Sequence, residues 1–217
     1  ARALARCAAL FDIGFDARPM QAALERCPLL APRIAQVPGL RPLGAWSPFE
    51  LCLRTVIGQQ VSVAAAATLM QRLAARCGSS VSPTALLAAD LSAIGMPARR
   101  VATLLHLARA IDSGAIDLER HAWPQVEEAL GELPGFGPWT RAYLAIRLGR
   151  DADAFPEGDL GLMRDADPAP IREALAARDG QSRVAAAHLH LAERWRPWRA
   201  HAATYLWAVP LQTIPRP

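Results

Sequence analysis

Apolar residues recur along this chain at the three- and four-residue spacing of amphipathic helices, and no stretch alternates as a half-buried strand does. Residues 49–59 place Phe49, Leu51, Cys52, Leu53, Val56 and Ile57 on one broad stripe, with Ser47 as N-cap and Pro48 in the first turn. A second run starts at Ser62, passes through Leu69, Met70 and Leu73, and stops at Gly78. Residues 97–111 carry Val101, Leu104, Leu105 and Ala108 on one face and end at Ser113-Gly114. Further helices are predicted over 124–130, 138–148, 170–177, 184–194 and 197–209, with a short one opening at Asp159. The 45 residues ahead of these also read as helical. With 52% apolar and 20% charged residues in 217, the chain can bury a core without disulfides or metal. The pattern predicts an all-α protein of two helical lobes, hinged at 38–44 and 149–158.

All 24 basic residues are arginine, because the sequence contains no lysine. That excludes a Walker A loop and any lysine Schiff base. The net charge is +4, divided unevenly: residues 1–110 carry +7 and residues 111–217 carry −3. A basic half fits a polyanionic partner as well as it fits a solvated surface. Cys7, Cys27, Cys52 and Cys77 show no metal-binding or redox spacing and read as buried thiols in a reducing compartment. No apolar run reaches membrane-spanning length and no signal-peptide pattern opens the chain, so a cytoplasmic protein without membrane contact is expected.

The densest local signal is Leu133-Pro134-Gly135-Phe136-Gly137-Pro138-Trp139-Thr140. One helix ends just before it and Pro138 starts the next, so the unpaired amides of a helix N-terminus lie beside two glycines. Such a joint can bind phosphate through its backbone, with the Thr140 hydroxyl adding a donor. Read locally, the same string is an ordinary turn between helices.

With this string the chain resembles the helix-hairpin-helix (HhH-GPD) superfamily of DNA glycosylases, and within it the bacterial alkylation-repair branch, 3-methyladenine DNA glycosylase II. Three other segments carry the resemblance: Ile57-Gly58-Gln59-Gln60-Val61-Ser62, then Phe155-Pro156-Glu157-Gly158-Asp159-Leu160, then Trp195-Arg196-Pro197-Trp198-Arg199 continuing to Trp207. The likeness runs from about residue 45 to residue 209.

What the resemblance implies is a base-excision repair enzyme that flips an alkylated base (3-methyladenine or 7-methylguanine) out of duplex DNA and hydrolyses its N-glycosidic bond. The lobes implied are 45–150, bearing the hairpin, and 1–44 with 151–217, with the active site in the cleft between them. The family's amino-terminal β-rich domain is expected to be missing, and the stretch 165–191 to be longer than usual. Asp159 is the implied catalytic carboxylate, although an Asp ahead of Leu160, Leu162 and Met163 is also a plain N-cap. Trp139, Tyr143 and Trp207 are the implied base-pocket aromatics, against the reading of aromatics at helical spacing as core. Trp46, Trp123, Trp195 and Trp198 are read as packing. DNA contacts fall to Gln59, Gln60, Ser62, Gly135, Gly137 and Thr140. Gln60 stands at the family's wedge position, usually apolar in this branch, and a helix-end polar pair is the alternative reading. No cofactor is required by this reading. A structural Na+ or K+ is implied at the hairpin, on the carbonyls of Gly131, Leu133 and Phe136.

Family members that also cut the strand use a lysine where this chain has Trp139, so a monofunctional, monomeric glycosylase without lyase activity is expected. Two rivals stand beside it: a non-catalytic helix-hairpin-helix module that holds DNA, and a glycosylase of this fold for another lesion.

Overall fold

Serine hydroxyls start three of the helices. The side chains of Ser47, Ser62 and Ser82 accept from the amides of Glu50, Ala65 and Ala85 at 3.3, 3.2 and 3.1 Å, each satisfying a first-turn donor that the helix leaves unpaired. Two of these caps are legible from the apolar period alone. In this computed structural model the described residues are 2–78, 80–159, 161–162 and 189–209, and among them every regular element is helical, with no strand.

The elements in order are α1 (Arg2–Leu10), α2 (Arg18–Leu24), α3 (Ala31–Gln36), α4 (Pro48–Gly58), α5 (Val63–Cys77), α6 (Pro83–Ala88), α7 (Ala98–Asp112), α8 (Trp123–Gly131), α9 (Pro138–Arg147), a 3-10 turn at Glu193–Trp195 and α10 (Arg199–Ala208). The predicted helix beginning at Pro197 starts two residues later, since Trp198 takes a non-helical conformation and serves as its cap. The short helix α6, six residues with Leu86 alone buried, is too short to show an apolar period and is an addition to the predicted helices. The helix predicted over 170–177 and the first five residues, 184–188, of that predicted over 184–194 lie outside the described residues.

The chain divides into two compact units: Ser47–Leu144, and Ala1–Trp46 with Ala145–Pro217. In the first unit α4 is the centre. Phe49, Leu51, Cys52, Leu53, Thr55, Val56 and Ile57 are all buried, and α4 packs against both α5 and α7. At about 25 cal/mol per Å2, each such large side chain contributes roughly 1.5–3 kcal/mol.

In the second unit α10 is buried along Ala200, His201, Ala202, Ala203, Tyr205 and Leu206 and packs against α3 and the 3-10 turn. The fully buried Arg33 of α3 ties its C-terminal end, donating from Nε to Val209 O at 2.9 Å.

Two residue-level expectations need correction. Of the four cysteines only Cys52 is buried, while Cys7, Cys27 and Cys77 are partly exposed, because periodicity names a helix face without saying what covers it. Trp46 is not a packing residue. It is 50% exposed, with the Arg6 guanidinium 5.8 Å over its ring.

Candidate functional site

In the unit Ser47–Leu144 the hairpin forms from the end of α8. Leu133 N–H bonds back to Leu130 O at 3.0 Å, Phe136 N–H to Leu133 O at 3.3 Å, and Arg141 N–H to Gly137 O at 3.1 Å opens the ladder of α9. Phe136 anchors the turn in the core at 1% exposure. Gly135 has φ +91, and a Cβ there would meet Thr103 Cγ2 of α7 at 2.9 Å. Both facts demand glycine. Gly137 is different: nothing lies within 4 Å of a Cβ built on it, so its open side is where a phosphate could reach the first turn of α9.

The junction between α4 and α5 is tied to this hairpin. Gln59 Nε2 donates to Gly135 O at 3.0 Å and to Thr140 Oγ1 at 3.2 Å, and Arg100 Nη2 of α7 donates to Gln59 O at 2.7 Å. Gln60, held next in the chain, is exposed and has φ +57. A non-glycine residue in the left-handed region costs of order 1–3 kcal/mol and persists where its surroundings impose it. Here Arg100, Gln59 and the Ser62 cap impose it. Ser62 itself is exposed, although its hydroxyl is engaged with Ala65 N–H. Thr140 is buried at 4% exposure and accepts from Gln59, so its hydroxyl braces the hairpin from inside. Arg100 and Thr103 carry no signal in the sequence, because their contacts with Gln59 and Gly135 join distant segments and leave no local pattern.

Trp139 and Tyr143, one turn apart on α9, lie partly exposed with their rings stacked, centroids 5.3 Å apart and 12° between planes. Their i, i+4 spacing makes this face.

The other unit contains Asp159 and Trp207. Gly158, at φ +78, turns the chain into Asp159, and Asp159 Oδ1 accepts from Leu162 N–H at 2.9 Å and from Trp207 Nε1–H at 3.1 Å. Asp159 is thus a helix cap, as one reading expected, and it is also fastened to an aromatic of α10. Gly161 makes room for this pair: a Cβ there would lie 3.0 Å from Asp159 Oδ1 and 3.5 Å from Trp207 Cδ1. Nothing in the sequence singled it out.

The Asp159 loop is pinned to the start of α10 from behind. Arg199 Nε donates to both Asp153 O and Asp153 Oδ1, at 2.8 and 2.9 Å, Arg196 pairs with Asp153 as well, and Ala200 N–H bonds Ala152 O at 3.0 Å. Phe155 then packs edge-on against the buried Trp195. The Trp195-Arg196-Pro197-Trp198-Arg199 segment therefore serves to hold the loop that ends in Asp159.

Of the three carbonyls expected to hold a monovalent cation, those of Phe136 and Leu133 accept hydrogen bonds within the protein. Phe136 O accepts from Arg141 Nη1 at 2.8 Å, and Leu133 O from Phe136 N–H. Among the described residues no cluster of three His, Cys, Asp or Glu could hold a metal ion.

An all-helical chain with two helices joined through such a glycine turn is a helix-hairpin-helix protein. It belongs to the HhH-GPD superfamily of base excision DNA repair proteins, whose pattern it matches over residues 53–205. It is 34% identical over 226 aligned residues to "DNA-3-methyladenine glycosylase 2" of Escherichia coli, which covers 95% of this chain and 71% of that protein. It is 32% identical to the "Probable bifunctional transcriptional activator/DNA repair enzyme AlkA" of Mycobacterium tuberculosis, over 94% of this chain and 42% of that one. Among solved structures, the 3-methyladenine DNA-glycosylase of Archaeoglobus fulgidus superposes with a TM-score of 0.71 at 20% identity, covering 95% of this chain and 73% of that one. Among the described residues no helix is long and apolar enough to cross a membrane.

Proposed function

We propose that this chain is a monofunctional DNA glycosylase that removes alkylated purines from duplex DNA by hydrolysis, leaving an intact strand with an abasic site. The observation carrying this reading is the Asp159 carboxylate, oriented by Leu162 N–H and Trp207 Nε1–H on one oxygen. The name of the 34% identical Escherichia coli relative supports the choice of lesion.

As the base departs, positive charge develops on the deoxyribose, and a fixed carboxylate stabilises it. One unit charge at ~4 Å in an effective dielectric of ~20 is worth about 4 kcal/mol, roughly a thousandfold in rate. Water then adds at the sugar carbon, its oxygen forming the new bond and its proton passing to solvent. A ring-alkylated purine is cationic while bound to the sugar and leaves neutral, so no general acid has to protonate it. The stacked Trp139 and Tyr143 offer a π face to that cation, worth about 0.5–2 kcal/mol per contact. Gln60 fills the vacated stack, and the backbone around Gly137 holds a phosphate of the duplex. In this reading the protein acts as a monomer on chromosomal DNA in the bacterial cytoplasm and needs no cofactor.

The test is release of free 3-methyladenine and 7-methylguanine from methylated duplex DNA. Asp159→Asn is expected to lose base release by about a thousandfold while retaining DNA binding. An unreduced rate in that variant removes Asp159 from the mechanism. Binding without release by the unaltered protein instead supports the non-catalytic module.

A further inference from the structure

Arg141, in the first turn of α9, reaches back under the hairpin. Its Nη1 donates to Phe136 O at 2.8 Å. Its guanidinium also lies against Gly131, where a Cβ would be 3.3 Å from Nη1 and 3.5 Å from Cζ. Gly131 and Phe136 are two of the three residues whose carbonyls the family resemblance assigns to a monovalent cation. Glu127 Oε1 forms a long ion pair with Nε at 3.9 Å, too far to accept a hydrogen bond from it, and the side chain is only 23% exposed. Among the described residues, the one hydrogen bond that the guanidinium makes is to the turn. The small Gly131 and the acceptor Phe136 O fix the guanidinium where it is.

A metal ion and a guanidinium do not share such a turn comfortably. Two unit charges ~4 Å apart at an effective dielectric of ~20 repel enough to weaken ion binding by roughly a thousandfold. The ion's other function, neutralising the converging carbonyl dipoles, is one a guanidinium performs with fixed donors and without depending on solution composition.

We propose that Arg141 is the built-in cation of this hairpin, its guanidinium standing in place of a bound Na+ or K+ and making the turn's shape independent of monovalent metal. The DNA-binding part of the test rests on the function proposed above; the ion-binding part does not.

The full chain and its Arg141→Met variant are compared in NaCl, KCl and choline chloride at equal ionic strength. Two properties are read: the melting temperature, and the dissociation constant for a duplex carrying a tetrahydrofuran abasic analogue. For the unaltered chain, the dissociation constants should agree within about twofold in all three salts, since the phosphate term depends on ionic strength and not on ion identity. Arg141→Met should bind about tenfold more weakly in choline and recover most of that in Na+ or K+, as an ion enters the vacated position. Thallous ion followed by 205Tl line broadening in nitrate buffer gives a readout that needs neither DNA nor activity: broadening with Arg141→Met, none with the unaltered chain.

Choline-sensitive binding or thallous-ion binding by the unaltered chain overturns the proposal, as does an Arg141→Met protein indifferent to the salt. Should Arg141→Met fail to fold, Arg141→Gln, which keeps one neutral donor to Phe136 O, is read in the same way. Failure of the unaltered chain to release methylated bases bears only on the proposed activity.

Discussion

His201 on α10 is 5% exposed, stacked on Phe15 at 5.0 Å and 17° and met edge-on by Trp198 at 5.6 Å. Burial holds its imidazole down at about 4, with Asp12 pulling upward and Arg41 reinforcing the burial. The folded protein therefore keeps a neutral ring where the unfolded chain, titrating near 6.5, takes up a proton. Above pH 6.5 both states are neutral and the stabilisation is fully present. Between pH 6.5 and 4 it is lost, and below 4 the loss levels off, at about 3 kcal/mol for a shift of this size. Urea midpoints at pH 7 and pH 4.5 measure it, and His201→Phe should lose markedly less stability over that window. Equal losses would acquit His201. The hydrogen-bonded carboxylates of Asp16, Asp90, Asp117 and Glu193 are held below their ordinary range, so their contributions fall away at lower pH. A lone histidine on an apolar helix gives no sequence signal of this kind. The apolar face around Cys52 does, and there burial pushes the thiol up to about 12.

Among the elements, the hairpin separates a glycine that the fold requires from one that it leaves open. Gly135 and Gly137 look equivalent in Pro134-Gly135-Phe136-Gly137-Pro138, yet Gly135 has φ +91 with Thr103 pressed beneath it, and Gly137 has open space. Gly135→Val is therefore expected to lower the melting temperature by several degrees, the consequence of a few kcal/mol of strain and displaced packing. Gly137→Val should leave it nearly unchanged and weaken binding to abasic duplex about tenfold, by blocking the approach of a phosphate. Melting curves and fluorescence anisotropy separate the two, and parallel behaviour of the variants would contradict the distinction. Helix starts were readable because a serine cap and an apolar stripe are local features. The lock formed by Gln59, Arg100 and Thr140 was not, since it joins segments 41 to 81 residues apart and depends on tertiary packing. Gln60 could be placed as a candidate wedge by resemblance, but its left-handed backbone is visible only in three dimensions.

At the scale of the whole molecule, charge follows structure differently from how it follows sequence. The sequence halves differ by ten charges, +7 against −3, but the compact unit Ser47–Leu144 carries eight arginines and eight acids. The unit that bears the hairpin and Gln60 is neutral overall, so any DNA grip there relies on oriented amides and individually placed guanidiniums and not on a net field. Arginine supplies those side-chain cations, and for the hydrolytic reaction proposed above this makes an intact strand the expected end point. Strand cleavage through a Schiff base needs a primary amine that can lose its proton, and a guanidinium cannot. None of the 217 residues is lysine; the remaining primary amine of a polypeptide is its α-amino group, which reductive methylation blocks. With that group blocked, incubation with methylated duplex should yield strands that stay intact on a denaturing gel until alkali cleaves them. Sodium borohydride should trap no protein–DNA adduct. Incision before alkali treatment, with a trapped adduct, would mean that some other nucleophile attacks the sugar and that hydrolysis is not the mechanism.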